Sequence, residues 1–384
     1  MADQSVLLGI CGGIAAYKTP ELIRQLRKVS LSVIPVLTEK AKWFVTPQAI
    51  KAVSQELPYE SLITPDTDIT HLDLIRKSQV LVIAPATANS IAKFANGLAD
   101  DLLSNIVLSF QGPKIIVPAM HTEMYENPIT QRNIDVLRQN GFLVLGPDSG
   151  ELACGDVGLG RMVDVALIVK AVQSMSLTPL NLTNKRIVIT AGGTIEHIDS
   201  VRVISNLSSG KWGHELAHIA SFYGADVTLI TSKPVDISNP NLTIIPIKSV
   251  SDLTQALNAH YSTADQLYMM AAVSDYTVKP ASGKVRRGSI STLDLVPTED
   301  ILAALPKSDR CRVVGFCLEP ENRIEVAKEK LKKKGCDVII ANHPNMIGQD
   351  SRSFEVIDNR GNQISEYKNL SLNRASYELL KLAL

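Results

Sequence analysis

Two segments of this chain, almost half its length apart, lead from a short apolar strand straight into a glycine-containing loop. The first segment is Val6–Lys18, and the second is Arg186–Thr194 together with the later stretch Ser208–Gly213. A loop of this kind leaves bare backbone N–H groups where they can meet a phosphate at the end of a buried strand. The chain is therefore predicted to contain two α/β domains and two nucleotide-type sites.

Length and charge limit what such a chain can do. The 384 residues are long for one hydrophobic core and suit two domains. Because 39 basic residues balance 39 acidic ones, no global field favours nucleic acid or an anionic membrane. No apolar run approaches the roughly 20 residues that span a bilayer, and the first residues lack a signal-peptide profile. The five scattered cysteines form neither a CxxC pair nor a Cys/His metal pattern, which favours a reducing, cytoplasmic location.

Short apolar strands alternate with amphipathic helical stretches in both halves of the chain, a pattern typical of parallel α/β sheets. We interpret residues 1–175 as one domain, residues 176–184 as a polar linker and residues 185–384 as a second domain. The expected fold class is α/β, with a flavodoxin-like or Rossmann-like parallel sheet first and a Rossmann-like domain second. The predicted strands are Val6–Ile10, Ser32–Leu37, Val80–Ala84, Lys114–Val117 and Phe142–Leu145, then Arg186–Thr190, Asp226–Ile230, Leu242–Pro246, Gln266–Ala271, Arg312–Phe316 and Asp337–Ala341, with a closing hairpin of Ser353–Asp358 and Gln363–Ser365.

Four loops of the first domain follow predicted strand ends, where open α/β sheets bind their ligands. Their glycines, hydroxyls and amides suit a phosphate and the edge of a heterocycle. The first loop lacks the GxGxxG pattern, so a dinucleotide is a weak interpretation. Tight turns and helix caps are the alternative explanation for each position. The candidate cofactor-binding residues are Gly12, Gly13, Thr38, Thr87 and Asn89.

Two reactive side chains stand out from this background. His71 lies just before an amphipathic segment, where a single histidine is more often a surface or capping residue than a catalytic one. Cys154 lies among the glycines of Glu151–Met162, which predicts an exposed flap rather than a core position. Cys154 is therefore a candidate for chemistry.

The motifs GGIAAYK, PATAN, PAM-x-x-x-M and ACGDxGxGRM make the first domain resemble the homo-oligomeric flavin-containing cysteine decarboxylases, specifically phosphopantothenoylcysteine decarboxylase. The resemblance implies FMN and a substrate whose thiol is oxidised to a thioaldehyde, which makes loss of CO2 possible. It implies that His71 is a base or orienting group and that Cys154 is the acid on a closing flap. Met120 and His121 would contact the substrate.

His121 departs from the family pattern, because an asparagine that grips the substrate carboxylate is common there. A histidine can still donate a hydrogen bond or a positive charge to a carboxylate. We therefore expect the activity to be kept and its pH profile to change, since a neutral His121 would grip more weakly.

The second domain combines a long glycine-containing loop with basic residues further along the chain. The loop Thr190–Gly213 is too long for a plain NAD-binding turn. Lys284 opens the basic loop KVRR, and Lys330 and Lys334 lie one turn apart on one predicted helix face. A solvated lysine face is the ordinary alternative.

The motifs TAGGT, ISNxSSGKxG, AAVSDY, KVRR and VGF make the second domain resemble phosphopantothenate–cysteine ligases. The resemblance implies CTP and Mg²⁺, because a triphosphate carries about four negative charges; the metal ligands stay unassigned. Asn206 would stabilise an oxyanion when cysteine attacks the acyl-cytidylate, and Arg202 would bind the substrate's anion. The residues implied for nucleotide binding are Asp275, Lys284, Glu299, Asp300, Ile301, Leu302, Phe316, Lys330 and Lys334.

The two resemblances together imply a bifunctional enzyme of coenzyme A biosynthesis. The second domain would join phosphopantothenate to cysteine, and the first would decarboxylate the product to phosphopantetheine. They also imply a homo-oligomer, with trimeric decarboxylase contacts and dimeric ligase contacts that together would build a dodecamer. The alternatives are an NAD(P)-dependent oxidoreductase, which should carry GxGxxG, and a non-enzymatic flavin-binding regulator, which tends to lose residues such as His71 and Cys154.

Overall fold

The structure is a computed structural model that describes residues 5–62, 70–281, 283–286, 292–306, 308 and 310–382. Arg287 of the KVRR loop lies outside the described residues. The chain divides into two compact units: unit 1 is Met1–Pro179 with Asp236–Asn241, and unit 2 is Leu180–Val235 with Leu242–Leu384. The domain bounds given above stay a prediction.

Unit 1 is built on a parallel sheet whose described strands have the order β2-β1-β3-β4-β5, the order of flavodoxin-like folds. Two further strands, β6 and β7, pair antiparallel as a separate hairpin that we call the flap. The sequence analysis predicted an exposed flap around Cys154 but no strands in it. The strands are β1 (Ser5–Ile10), β2 (Ser32–Leu37), β3 (Val80–Ala86), β4 (Lys114–Pro118), β5 (Phe142–Val144), β6 (Asp148–Glu151) and β7 (Val157–Arg161).

The helices of unit 1 cover the parallel sheet. Helix α1 shows why: Leu22, Ile23 and Leu26 recur at helical spacing and are all fully buried. The helices are α1 (Thr19–Lys28), α2 (Pro47–Ser54), α3 (Thr70–Arg76), α4 (Ala88–Ala95), α5 (Leu102–Ser109), α6 (Thr122–Glu126), α7 (Pro128–Gln139) and α8 (Val165–Met175), with short 3₁₀ turns at Ile14–Lys18 and Glu39–Trp43.

Unit 2 contains a mixed sheet with the described order β12-β11-β8-β13-β16-β17-β18-β19, in which the last two strands run antiparallel. This confirms the α/β class and the predicted closing hairpin. The strands are β8 (Arg186–Ala191), β9 (Ile195–His197), β10 (Val203–Ser205), β11 (Asp226–Thr231), β12 (Leu242–Pro246), β13 (Gln266–Met269), β14 (Tyr276–Thr277), β15 (Val296–Pro297), β16 (Arg312–Leu318), β17 (Val338–Asn342), β18 (Ser351–Asp358) and β19 (Gln363–Ser371).

The helices of unit 2 pack on this sheet, and β9 with β10 and β14 with β15 form two small hairpins outside it. A buried cluster that includes Leu253, Leu257 and Leu267 forms the core under α10. Among the helices that the structure describes, none combines the length and apolar character that a bilayer crossing requires. The helices are α9 (Lys211–Phe222), α10 (Val250–His260), α11 (Ile301–Ala304), α12 (Arg323–Lys334) and α13 (Leu372–Leu382), with 3₁₀ turns at Tyr261–Thr263 and Pro344–Met346.

Truncating the core of unit 2 should be costly. Leu267 is fully buried in β13, so Leu267→Ala should lower the free energy of unfolding by about 2–5 kcal/mol. Urea titration followed by the fluorescence of Trp212, which is buried in the same unit, would measure the loss. The matched control is Leu295→Ala at a half-exposed position, where the change should stay within about 0.5 kcal/mol. Equal losses at the two positions would contradict this description of the core.

Candidate active sites

A cavity of about 940 Å³ lies at the carboxyl ends of β1 to β4 in unit 1; we call it the first cavity. The chain order of the sheet reverses around β1, which opens a crevice between the loops that follow β1 and β3. The predicted residues that line this cavity are Gly12, Gly13, Thr38, Thr87, Asn89, Met120, His121 and Cys154.

The cofactor-binding candidates of this cavity are held by ordinary backbone geometry. A Cβ on Gly12 would lie 2.4 Å from the Lys40 Cβ, so the two loops can meet only because residue 12 has no side chain. Thr87 caps α4, where its hydroxyl accepts from the Ser90 N–H at 3.3 Å. Thr87 therefore has both of the positions considered for it: it caps a helix, and it is part of the cavity wall.

The flap closes one side of the first cavity through a close backbone approach. The Met120 N–H donates to the Gly160 carbonyl at 3.0 Å, which joins β7 to the loop after β4. A Cβ on Gly160 would lie 2.1 Å from the Met120 oxygen, and one on Gly158 would lie 2.4 Å from the Thr122 hydroxyl. The two glycines thus let β7 dock beside His121.

Three polar side chains meet where the flap reaches the loop after β4. The imidazole Nε2 of His121 lies 2.9 Å from Asp156 Oδ2, and the exposed Cys154 thiol donates to the same oxygen at 3.3 Å. The hydrogen bond to Asp156 raises the pKa of His121 above its ordinary 6.5, and the same bond lowers the pKa of Asp156. His121 therefore keeps its positive charge to a higher pH than an isolated histidine.

His71 is the predicted catalytic residue that the structure does not bring to the first cavity. It lies half-buried on the short helix α3 and is absent from the cavity wall of the single chain. Its role stays a prediction.

Unit 2 carries a second cavity, of about 770 Å³, at the carboxyl ends of β8, β13, β16 and β17. The loop before α9 forms one side of it. The N-cap residue Gly210 has no side chain to cap the helix, and the neighbouring Ser209 hydroxyl accepts from the Lys211 N–H at a long 3.4 Å. The first backbone N–H groups of α9 therefore suit an anion. The predicted residues that line this second cavity are Asn206, Asp275, Glu299, Asp300, Ile301, Leu302, Phe316, Lys330 and Lys334.

The lysines of the second cavity each face a carboxylate. Lys330 Nζ lies 2.7 Å from Glu319, and Lys334 Nζ lies 3.4 Å from Asp300. Burial is the largest single effect and disfavours the charge of Lys330, but the hydrogen bond to Glu319 and the interactions with Cys317 and Glu319 together outweigh it and raise the pKa of this lysine. Both lysines are thus already paired with carboxylates within the protein.

Lys211 is a third such lysine, in the first turn of α9. Its Nζ lies 3.0 Å from Asp350 and 3.3 Å from the Gly348 carbonyl. The sequence analysis assigned no role to Lys211, although its place directly after Ser-Ser-Gly at a helix start is a signal for anion contact. It also missed Glu319, which no local pattern reveals because its partner Lys330 lies on another element.

The side chains of Asn206 and Phe316 are held by contacts within the second cavity. The Asn206 amide donates to the Val273 carbonyl at 2.8 Å and to the Ala272 carbonyl at 3.4 Å. Phe316 packs edge-on against Trp212, with 5.5 Å between ring centroids. In this structure the Asn206 amide therefore braces the loop after β13.

Arg202 and Lys284, the remaining predicted residues, do not line the second cavity. Arg202 donates to Asp199 at 2.6 Å and to the Val285 carbonyl at 3.0 Å. Backbone N–H groups of Val201, then Arg202 and Val285, also hold Asp199 and lower the pKa of its carboxyl to about 2. Asp199 thus ties the turn before β10 to the basic loop that contains the exposed Lys284.

Two family profiles together cover almost the whole chain. The profile described as "Flavoprotein" matches residues 1–177, and the profile described as "DNA/pantothenate metabolism flavoprotein C-terminal domain" matches residues 182–383.

Curated relatives match over the full length. The chain is 40% identical over 370 residues to the "Coenzyme A biosynthesis bifunctional protein CoaBC" of Escherichia coli strain K12. The aligned region covers 94% of this chain and 90% of that relative. The protein of the same name from Mycobacterium bovis is 35% identical over 377 residues, covering 93% and 89%.

Solved structures match one half at a time. The C-terminal domain of a coenzyme A biosynthesis bifunctional protein CoaBC is 33% identical and covers 52% of this chain and 94% of that one, with a TM-score of 0.45. The FMN-dependent cysteine decarboxylase SpaF is 32% identical and covers 46% and 99%, with a TM-score of 0.41.

The glycine contact under the flap generates one prediction. Gly160→Ala should push β7 away from the Met120 carbonyl and separate Cys154 from the first cavity. Turnover that depends on the first cavity should fall about tenfold or more, because a small misplacement of reacting groups is costly. Turnover at the second cavity serves as the internal control and should be unchanged. An equal loss of both turnovers would contradict the prediction.

The buried Asp199 generates a second prediction. The pKa of Asp199 is about 2 in the folded protein, below the ordinary 3.8. The ionised carboxyl therefore stabilises the folded state at pH values above 3.8, and this stabilisation is lost as the pH falls from 3.8 through about 2. Asp199→Asn should therefore lower Tm at neutral pH, and the gap to the unsubstituted protein should close in strong acid. Thermal unfolding over a pH series measures this gap. A gap that stays constant in acid would contradict the prediction.

Proposed function

The chain belongs to the family of bifunctional coenzyme A biosynthesis proteins, and from that premise we propose which of its residues carry out the two reactions. Its activities are those of a phosphopantothenoylcysteine decarboxylase and a phosphopantothenate–cysteine ligase. Neither an oxidoreductase that uses NAD(P) nor a non-enzymatic regulator is supported by its relatives.

The observation that carries the proposal is the grouping of the predicted residues into two cavities, one in each unit. Eight residues that the sequence analysis proposed for the first domain line the first cavity, and nine that the ligase resemblance implied line the second. Residues that are far apart in the sequence meet in each wall, which supports one common ligand for each cavity. We therefore assign decarboxylation to the first cavity and ligation to the second.

FMN is the cofactor we propose for the first cavity. The crevice beside β1 fits such a group, because the Gly12 loop lies close to Lys40 where a Cβ would not fit, and Thr38, Thr87 and Asn89 add polar atoms. FMN would supply a two-electron oxidation of the substrate thiol to a C=S group, which acts as the electron sink, and the return of these electrons after CO2 has left, so that no net oxidation occurs. Gly12, Gly13, Thr38, Thr87 and Asn89 would hold it.

The chain's own residues would handle the substrate carboxylate and one proton. His121 would hold the carboxylate, and Met120 would contact the substrate beside it. Once CO2 has left, Cys154 would deliver its thiol proton to the resulting ene-thiolate. The exposed position of Cys154 on the flap supports this role, because the flap must admit the substrate and then cover it.

In the second cavity we propose a nucleotide triphosphate site for CTP. The N-terminus of α9 and the lysines Lys330 and Lys334 suit the phosphates, while Asp275 and Phe316 suit the cytidine. Glu299, Asp300, Ile301 and Leu302 would line the nucleotide. Mg²⁺ would arrive with the triphosphate, and the carboxylates of this wall, Asp275 and Glu299 among them, suit such a hard cation.

Three further residues complete the proposal for ligation. Asn206 would support attack by cysteine on the acyl-cytidylate, which requires its amide to leave the loop after β13 and turn to the substrate. Arg202 and Lys284 would bind anionic parts of the substrates after the basic loop moves, since the Asp199 contacts now hold it away from the wall.

We further propose a homo-oligomer with trimeric contacts between decarboxylase units and dimeric contacts between ligase units, which together would build a dodecamer. Trp43 is 80% exposed, and Tyr17 is 61% exposed and lines the first cavity, so apolar surface lies beside this site. A neighbouring subunit would also bring His71 to a first cavity. The five free cysteines support work in the reducing cytoplasm.

Mass spectrometry of the products tests both assignments. Protein supplied with phosphopantothenate, cysteine, CTP, FMN and Mg²⁺ should form phosphopantetheine. Cys154→Ser should stop the reaction after loss of CO2, at the oxidised ene-thiol that is two hydrogens lighter than phosphopantetheine, because the weaker acid at residue 154 cannot deliver the proton. Ligation by the same variant should continue at the unsubstituted rate, which is the control for folding.

The possible outcomes separate the two halves of the proposal. Phosphopantetheine formed at the full rate by Cys154→Ser would remove Cys154 from the mechanism. Loss of ligation after Lys330→Ala with decarboxylation kept would support the division between cavities, and the reverse pattern would contradict it.

A further inference from the structure

One oxygen of Asp156 contacts both residues to which the proposed decarboxylation gives a task. Asp156 Oδ2 lies 2.9 Å from the Nε2 of His121 and accepts from the Cys154 thiol at 3.3 Å. His121 would hold the substrate carboxylate, and Cys154 would supply the proton. Asp156 itself does not line the first cavity, so it acts on the substrate only through these two side chains.

The backbone fixes Asp156 in this place. Gly158 follows two residues later and lies against Thr122, and Gly160 receives the hydrogen bond of Met120. On the other side, the Leu152 N–H donates to the Asp156 carbonyl at 2.8 Å and closes the tip of the flap. The docking of β7 therefore brings Asp156 beside His121, although the carboxylate itself is 66% exposed.

We propose that Asp156 is a positioning residue of the decarboxylation, which holds the imidazole of His121 and the thiol of Cys154 together at the mouth of the first cavity. The inference rests on the proposed function of that cavity. A carboxylate that accepts from one ring nitrogen fixes the orientation of an imidazole and favours its protonated form. At the same time, the thiol proton is directed by the same oxygen, so the two groups keep a constant spacing while the flap is closed.

The charges around His121 support this role. Asp156 faces it from the flap, and Glu123 of α6 lies 3.9 Å from its Nδ1. The other charged groups of the wall include Lys18, Lys40, Lys93 and Arg161, with Glu39 and Glu151 among the acids. Of the acids, Asp156 makes the hydrogen bond, and this bond raises the pKa of His121. A cationic His121 binds a carboxylate better than a neutral one, so substrate binding should weaken as the pH rises through this pKa.

The test is Asp156→Asn in the full-length, FMN-loaded protein, assayed with phosphopantothenoylcysteine from acidic to alkaline pH. The value of kcat/KM should fall about tenfold, as for loss of a hydrogen bond to a charged group. The alkaline limb of its pH profile should also move to lower pH, which a merely structural role would not produce. Asp156→Glu should restore the limb towards its original position.

Two comparisons make the test decisive. Asp148→Asn removes a carboxylate from the same hairpin that contacts neither His121 nor Cys154, and should leave the rate and the profile unchanged. In a His121→Asn background the part of the alkaline limb that reports the titration of His121 should be lost, and adding Asp156→Asn should not produce the shift that it produces in the His121 protein.

The failures are distinguishable. If Asp156→Asn lowers kcat/KM without moving the limb, the inference is wrong although the proposed function stands. If the limb moves equally in the His121→Asn background, Asp156 does not act through His121. If the unsubstituted protein does not decarboxylate the substrate, the proposed function itself fails. Ligation by every variant reports that the chain is folded, and Asp156→Ser replaces the asparagine variant if that chain loses ligation.

Discussion

Each of the two main sheets has its first strand in an interior position. Both strands that pair with this first strand come later in the chain, and the rest of the structure depends on this order. In unit 1, β1 pairs with β2 on one side and with β3 on the other. In unit 2, β8 pairs with β11 and β13 in the same way. At this point of each sheet, the loops that follow two neighbouring strands, β1 and β3 or β8 and β13, lead away in opposite directions. A crevice forms between these loops. Both cavities, and the glycines that line them, exist because of this hydrogen-bonding order.

Local pattern was enough to predict most of the framework. Runs such as Val6–Ile10 and Asp226–Ile230 are apolar and bounded by turns, so their strands were predicted to within a residue or two. The two strands of the flap were not predicted. A segment such as Val157–Arg161 alternates glycine with mixed residues, and its pairing depends on docking against the loop after β4. The same limit applies to the sites: sequence named Lys330, but only packing shows that Glu319 holds it.

The second cavity indicates how a neutral chain could bind the highly charged triphosphate that we propose for it. Its lysines meet carboxylates within the wall, so the site carries little net charge before the ligand binds. A triphosphate that enters would exchange partners with these carboxylates instead of neutralising an open cluster of cations. Part of the desolvation cost of Lys330 has then already been met during folding. Arg202 was predicted to bind the anion of the substrate but does not line the second cavity. It is likewise paired within the protein, because its guanidinium binds the buried carboxylate of Asp199.

The exposure of Cys154 has a consequence for redox chemistry. The other four cysteines are buried, and burial raises the pKa of Cys11 to about 11, so that its thiol stays protonated and unreactive. An oxidant that reaches the folded protein therefore meets one thiol, on the flap of the first cavity. Conversion of Cys154 to a sulfenic acid or a mixed disulfide would remove the thiol proton that the proposed mechanism uses and leave the second cavity untouched. Under oxidative stress the chain would still consume nucleotide to make the ligated intermediate, but would fail to pass it on, and a cellular reductant would reverse the block.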